Sequence, residues 1–230
     1  MESGLISFLP VAAAHFFYPS LTTKCLPIWL LALRTYILPS EVCPDKTISY
    51  GLAISSIGDA CLYLEIGQDG DMKEYLFLLG LLCFLMAHIL YTKAFLHHTS
   101  FHTRILCLPL FVYYMLMMTI ILPEAPKKLH YPIMFYGIAI SFMGYSCLNF
   151  YANVVDPMWK SNALAGLVGS IFFIASDSVL AISKFSVQYR YVFRGYETEI
   201  VMITYYIGQF LIAQSSMLDD RKSTKHLKQA

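Results

Sequence analysis

The feature that most constrains this chain is a series of long apolar stretches separated by short polar connections. A helix that crosses a membrane needs about 20 mostly apolar residues, and the gaps between charged residues provide eight such stretches. They are residues 4–19, 24–39, 47–66, 75–96, 104–122, 131–152, 161–184 and 199–217. The pattern predicts an all-α polytopic membrane protein, a bundle of about eight transmembrane helices with an internal polar cavity.

The composition argues against most soluble classes of protein. Of the 230 residues, 57% are hydrophobic and 13% are charged, whereas soluble domains have about 25% charged residues. The 16 basic and 15 acidic residues form no basic stripe that would bind nucleic acid. The six cysteines contain no C-x-x-C pair, so we expect small hydrophobic side chains rather than a disulfide framework. A secreted scaffold, a disordered regulator and a soluble dinucleotide enzyme are therefore not expected.

The connections are too short to contain a soluble domain. We expect residues 1–230 to form a single transmembrane domain that ends in a polar tail at residues 218–230. The first two stretches are short and are interrupted by Pro10, Pro27 and Pro39. The cations of the tail slightly favour a cytoplasmic location for both termini.

Two of the stretches contain an acidic residue well away from either end. An ionisable side chain at the centre of a bilayer costs about 2.5–3.5 kcal/mol on insertion scales, so it requires a reason to be there. Asp59 lies just after Ser56 and Gly58, and the glycine allows a neighbouring helix to approach closely. Asp177 directly follows Ser176. The two carboxyl groups either join helices by hydrogen bonds or converge on a catalytic site, and we favour the catalytic site.

Other polar side chains share helix faces in the later stretches. His88 and Tyr91 are three residues apart, and an imidazole inside a span either bonds a neighbouring helix or holds a proton. Tyrosine alone is a weak indication, because it commonly anchors helices at membrane interfaces. The candidates on spans six and eight are Tyr145, Asn149, Tyr205, Tyr206 and Gln209.

Three other chemistries fit the sequence poorly. A catalytic zinc ion usually has three protein ligands, but we take His88 as the only histidine well inside an apolar stretch, since His97, His98 and His102 lie in one connection. A serine nucleophile lacks its G-x-S-x-G element. The paired aspartates resemble those of intramembrane aspartyl proteases, but the Y-D and G-x-G-D motifs are incomplete. We therefore expect no metal site and no peptide cleavage.

The spacing of the polar residues is compatible with an internal repeat. Tyr91 follows Asp59 by 32 residues, and Gln209 follows Asp177 by the same number. A 4+4 arrangement would give two halves of the same orientation, related by an axis along the membrane normal. Uniform span lengths would produce the same offsets without a repeat.

Five short elements, in order along the chain, carry a resemblance to a known family. They are K-C-L-P from Lys24, S-S-I-G-D ending at Asp59, F-L-M-A-H-I-L-Y from Phe84 to Tyr91, G-x-x-x-F-x-x-S-D from Gly169 to Asp177, and Y-x-x-x-Q-x-L-I from Tyr205 to Ile212. Together they resemble the YhhN-like family of eight-span membrane proteins, whose animal members are lysoplasmalogenases. Cys25 stands where the family's first element has a proline.

The resemblance implies hydrolysis of the vinyl ether bond of lysoplasmalogens in the endoplasmic reticulum. Such a bond is cleaved by protonation of its β-carbon, which creates an oxocarbenium ion to which water adds. One carboxylic acid and one carboxylate can do this, as in glycoside hydrolysis. No metal or organic cofactor is required. The partners expected are a lysophospholipid substrate and the bilayer, with a second copy of the chain as a candidate and no nucleic acid.

The residue roles follow from that chemistry. We expect Asp59 and Asp177 to be the acid and the carboxylate, in an order that the sequence leaves open. The residues expected to bind or orient the substrate and water are Lys24, Ser56, His88, Tyr91, Asn149, Ser176, Tyr205, Tyr206 and Gln209. The rival interpretation is a proton-coupled transporter or channel for a small amphiphile, because membrane carboxylates serve proton coupling equally well.

Overall fold

A computed structural model describes residues 2–38, 46–96, 104–193 and 195–217. Over these ranges the chain is helical and contains no β-strand, which confirms the predicted all-α class. The helices are α1 (Glu2–Phe17), α2 (Leu21–Ile37), α3 (Thr47–Glu65), α4 (Gly70–Leu96), α5 (Leu108–Ile121), α6 (His130–Asn153), α7 (Pro157–Phe185) and α8 (Glu197–Ser215). The predicted polar tail lies outside the described residues, as do Pro39, His97, His98 and His102.

Three helical segments in the described residues are long and apolar enough to cross a membrane. They are Gly70–Leu96, Lys127–Asn153 and Trp159–Phe185. Two shorter apolar segments, Phe8–Phe17 and Ile105–Ile121, accompany them. These segments support a membrane protein, and eight spans remain a prediction.

The outer faces of the helices are apolar, as expected where lipid replaces water. Large apolar side chains are more than half exposed on several helices, for example Leu33, Leu82, Phe111, Leu116 and Phe135. Polar side chains such as Ser55, His88, Asn149 and Gln209 are instead fully buried. This distribution is the reverse of that in a soluble bundle.

Two helix pairs, α3 with α4 and α7 with α8, pack most extensively against one another. Glycines allow both contacts. A Cβ atom at Gly169 would lie 2.9 Å from the carbonyl oxygen of Gly208 on α8, so the two backbones touch directly. A Cβ atom at Gly58 would lie 2.8 Å from the ring of Phe84 on α4. The close approach predicted at Gly58 is therefore confirmed.

The start of α2 is fixed by a capping box at Ser20. The Ser20 hydroxyl accepts a hydrogen bond from the Thr23 backbone N–H at 3.1 Å, and the Thr23 hydroxyl oxygen accepts one from the Ser20 N–H at 2.9 Å. This reciprocal arrangement satisfies two backbone donors that a helix end would otherwise leave unpaired. It also places Lys24 in the first turn of α2.

Candidate active site

Asp59 lies at the end of a chain of hydrogen bonds that crosses three helices. Its side chain on α3 is buried, with 3% of the residue exposed. The Tyr205 hydroxyl on α8 donates to Asp59 Oδ2 at 2.6 Å. Gln209 Nε2 donates to the Tyr205 oxygen at 3.1 Å, and the Tyr91 hydroxyl on α4 donates to Gln209 Oε1 at 2.9 Å. The chain therefore brings four predicted site residues together.

Lys24 faces the same carboxylate from α2. Its half-buried ammonium group is near enough to Asp59 for electrostatic attraction. No carboxylate among the described residues lies within ion-pair distance of Lys24. The Tyr206 hydroxyl donates to the Lys24 carbonyl oxygen at 3.1 Å, which ties this turn of α2 to α8. A cation is thus held beside Asp59.

Asp177 has its own set of neighbours. Its side chain on α7 is 17% exposed, and its Oδ2 accepts a hydrogen bond from the Tyr136 hydroxyl on α6. His88 Nε2 lies 3.0 Å from that hydroxyl and 3.8 Å from Asp177 Oδ2. The second ring nitrogen of His88 lies 3.3 Å from the Met143 sulfur. Asp177 and an imidazole are therefore joined through one tyrosine.

Aromatic rings connect the two sets of hydrogen bonds. The Phe173 ring centre lies 4.8 Å from that of His88 and 5.4 Å from that of Tyr205, in edge-to-face contacts. Phe84 packs against Phe173 and Tyr205 at 6.3 and 6.1 Å. The Asp59 and Asp177 carboxylates are near enough to interact electrostatically. The polar residues thus form a single cluster with an apolar wall.

The two aspartates lie at about the same depth in the bundle. Glu65, at the end of α3, forms a salt bridge with Lys184, near the end of α7. Asp59 is six residues before Glu65, and Asp177 is seven before Lys184. At 1.5 Å per residue, these steps place the aspartates about 9 and about 10.5 Å inward from the salt bridge. Two carboxyl groups at one depth can act on one substrate.

Two other predicted site residues bond to backbone rather than to the aspartates, and a third lies far along α6. The Ser56 hydroxyl donates to the Cys25 carbonyl oxygen at 3.3 Å and joins α3 to α2. The Ser176 hydroxyl donates to the Val201 carbonyl oxygen at 2.9 Å and joins α7 to α8. Asn149 accepts hydrogen bonds from the Asn153 side chain and lies 13 residues from Tyr136 along α6, about 20 Å away. The two serine hydroxyls therefore join neighbouring helices.

Tyr136 is the residue that sequence reasoning missed. On span six the sequence favours Tyr145 and Asn149, which lie four residues apart. The hydroxyl that bonds to Asp177 belongs to Tyr136 instead. Tyr136 and Met143 are seven residues apart and both contact His88, so one face of α6 meets this imidazole. Only the packing of α6 against α4 shows which tyrosine is used.

The described residues contain no group of three His, Cys, Asp or Glu side chains arranged to bind a metal ion. The expectation that His88 is the only well-buried histidine is wrong. His15 on α1 is also buried, and its Nδ1 lies 3.3 Å from the Thr23 hydroxyl oxygen. The cluster itself offers two carboxyl groups and an imidazole, which suit proton transfer and stabilisation of a cation. The nearby ammonium group suits an anion instead.

Known proteins resemble the chain along most of its length. Lysoplasmalogenase TMEM86A from Bos taurus is 32% identical over 199 residues, which are 84% of this chain and 76% of that protein. Lysoplasmalogenase TMEM86A from Homo sapiens is 30% identical over 208 residues, covering 88% and 80%. Lysoplasmalogenase TMEM86B from Homo sapiens is 25% identical over 199 residues, covering 84% and 74%. No solved structure matches the chain.

The family comparison covers the whole of the helical region that carries the cluster. Residues 20–216 match the YhhN family, from the capping box of α2 to the end of α8. This range contains both aspartates and every residue bonded to them. The chain therefore belongs to the YhhN family.

Proposed function

We propose that this chain is a membrane hydrolase that cleaves the vinyl ether bond of lysoplasmalogens. Its products would be a fatty aldehyde and glycerophosphoethanolamine or glycerophosphocholine. One observation carries the proposal: aspartates from two helices lie at one depth in a buried cluster, and each accepts a hydrogen bond from a tyrosine. The names of the similar mammalian proteins support the same substrate class.

The proposed reaction needs only the two carboxyl groups and water. One aspartic acid gives its proton to the β-carbon of the vinyl ether, and the π electron pair forms the new C–H bond. The positive charge on the adjacent carbon is shared with the ether oxygen and stabilised by the other carboxylate. Water bonds to this carbon and passes a proton to that carboxylate, which gives a neutral hemiacetal.

Collapse of the hemiacetal completes the cycle. The bond from carbon to the glycerol oxygen breaks, and that oxygen takes the proton that the second carboxyl group had received. The hydroxyl proton of the hemiacetal returns to the first carboxylate as the aldehyde forms. One water molecule is consumed, and both carboxyl groups regain their starting states.

Lys24 is proposed to bind the phosphate of the substrate. The phosphate and the vinyl ether of a lysoplasmalogen are separated only by the glycerol backbone, so the phosphate must bind close to the aspartates. Lys24 is the cation beside Asp59 and lies in the first turn of α2, where the helix dipole also favours an anion. Lysoplasmalogen would then bind with its chain among the apolar helices.

The test uses the purified full-length protein in detergent. Lysoplasmenylethanolamine is added, and aldehyde is trapped and quantified. We expect aldehyde release from the lysoplasmalogen alone. The matched 1-acyl lysophospholipid has an ester in place of the vinyl ether and therefore no carbon–carbon double bond at that position to protonate. Absence of aldehyde from well-folded protein would contradict the proposal.

Chelation provides a separate prediction. The proposed chemistry uses protein carboxyl groups alone, so aldehyde release should be unchanged after prolonged dialysis against a strong chelator. The measurement is turnover before and after dialysis, with zinc added back in a parallel sample. Loss of turnover that zinc restores would show that a metal ion takes part.

A transporter or channel for a small amphiphile is the second candidate. The hydrogen bond between Tyr91 and Gln209 favours a transporter. These two residues occupy equivalent positions in the suggested 4+4 repeat, and equivalent residues contact one another at a two-fold axis. The same detergent assay separates the two functions. Hydrolysis needs no second compartment, whereas transport does.

The cellular setting completes the proposal. We place the protein in the endoplasmic reticulum membrane, which the family resemblance implies and which co-localisation with a reticulum marker would test. The proposed partners are the bilayer and a second copy of the chain. Chemical crosslinking in intact membranes would detect such a homodimer.

A further inference from the structure

The two aspartates differ in what their tyrosines connect to. From this difference we infer that Asp177 is the proton donor and Asp59 the carboxylate that stabilises the cation. Tyr136 and His88 are positioning residues that keep a proton available to Asp177. This assignment rests on the proposed function and supplies the order of roles that the function leaves open.

The connection to Asp177 can carry a proton. The Tyr136 hydroxyl donates to Asp177 Oδ2, and its oxygen lies 3.0 Å from His88 Nε2. A hydroxyl group donates and accepts at once, so it can take a proton from an imidazole while passing its own to a carboxylate. Imidazole is the side chain that exchanges protons near neutral pH. Asp177 and His88 therefore share a proton through Tyr136.

The connection to Asp59 cannot carry a proton. The Tyr205 hydroxyl accepts from Gln209 Nε2 at 3.1 Å and directs its own hydrogen to Asp59 Oδ2 at 2.6 Å. A carboxamide neither gains nor loses a proton in the working pH range, so the path stops at Gln209. Among the described residues, the hydrogen bonds that lead to Asp59 thus end at an amide, and Asp59 acts as an acceptor.

The chemical consequence concerns the first proton transfer. The shared proton first moves from His88 Nε2 to the Tyr136 oxygen while the Tyr136 proton moves to Asp177. The Asp177 O–H bond then breaks as the β-carbon of the vinyl ether gains its C–H bond, which leaves His88 neutral and Asp177 ionised. The proton released when the hemiacetal collapses refills this pair. Asp59 meanwhile faces the cation and accepts the proton of the attacking water.

The groups that face this pair define what a pH experiment would report. They are Tyr136 from α6, Tyr113 from α5, Asp59 from α3 and Tyr91 from α4. Tyrosines titrate near pH 10 in water, outside an assay range of about pH 5 to 9. The protonated form of a proton donor is lost as pH rises, and the ionised form of a required carboxylate is lost as pH falls. The basic limb of the pH profile of kcat, where activity falls as pH rises, therefore reports the proton donor.

The test compares two matched variants, each of which removes one tyrosine hydroxyl. In Tyr136→Phe, Asp177 is cut off from His88, so the basic limb of kcat should move to lower pH by about one unit or more, as expected when a coupled pair is separated. In Tyr205→Phe, turnover should fall while the basic limb stays in place. His88→Gln breaks the same connection and should move the basic limb in the same direction. It serves as the second variant if Tyr136→Phe folds poorly.

Each outcome decides the assignment. A limb that moves in Tyr205→Phe but not in Tyr136→Phe or His88→Gln would reverse the two roles. A limb that moves in none of the three would exclude a shared proton. Failure of the wild-type protein to release aldehyde would overturn the proposed function itself, so the two failures can be distinguished.

Discussion

Replacing either aspartate by asparagine should nearly abolish turnover without unfolding the protein. Asn has almost the shape of Asp and retains hydrogen-bonding capacity, but it neither gives up a proton at a useful pH nor carries charge. General acid–base catalysis contributes about 10²–10⁴-fold, so Asp59→Asn and Asp177→Asn should each lower kcat by at least this order. The measurement is aldehyde release by protein of unchanged helical content.

Two comparisons make this prediction specific. Asp71→Asn, on the exposed first turn of α4, removes a carboxylate outside the cluster and should leave turnover unchanged. His88→Asn should cost less than either aspartate variant, because His88 acts through Tyr136. If an aspartate variant folds well and keeps near-normal turnover, that aspartate only joins helices and its catalytic role is wrong.

The helices were predictable because the bilayer permits few alternatives. A backbone in lipid must satisfy its hydrogen bonds within the segment, so a long apolar stretch bounded by charges predicts a helix. α3 illustrates this: the predicted stretch 47–66 and the helix Thr47–Glu65 differ by one residue. The predicted start of α2 at residue 24 is three residues late, because the apolar stretch begins at the charge of Lys24 whereas the helix begins after the cap at Ser20. Local capping fixes ends that hydropathy cannot.

The candidate site was predictable only in part. Asp59 and Asp177 stood out because a carboxyl group is costly in an apolar stretch. Tyr136 carries no such cost, since tyrosine is common in membrane helices, and its role depends on how α6 packs against α4 and α7. Ser56 shares the helix face of Asp59 three residues away, and Ser176 directly precedes Asp177, so the sequence predicts both near the site. Their hydroxyls bond neighbouring backbones instead.

The arrangement of polar groups has a consequence for rigidity. Every step from Tyr91 to Asp59 passes between side chains on different helices or on α8 itself, so the position of Asp59 depends on the packing of α3, α4 and α8 together. Apolar contacts alone would allow these helices to slide in lipid, because lipid tails are as apolar as leucine. Hydrogen bonds between helices thus fix the position of the Asp59 carboxylate relative to α4 and α8.

The Glu65–Lys184 salt bridge should have the largest effect on stability. Glu65 has 9% of its side chain exposed and Lys184 has 27%, and the Lys184 ammonium also lies 4.0 Å from the centre of the Phe77 ring. Removing one partner of a buried pair leaves a charge without compensation and costs about 3–5 kcal/mol. Lys184→Met keeps the unbranched chain and its contact with the ring. We expect a loss of about 3 kcal/mol, at the lower end because Lys184 is partly exposed.

Unfolding in mixed micelles, followed by circular dichroism, measures this loss. Lys73→Met, at an exposed position on α4, is the matched control and should change stability by less than about 0.5 kcal/mol. Adding Glu65→Gln to Lys184→Met removes the stranded carboxylate and should restore most of the stability, since a neutral pair of similar size avoids the cost of a buried charge. A double variant as unstable as Lys184→Met would show that the lysine contributes through packing alone. The same salt bridge joins the ends of α3 and α7, the two helices that carry the aspartates. Lys184→Met should therefore also lower turnover, and the double variant should recover it.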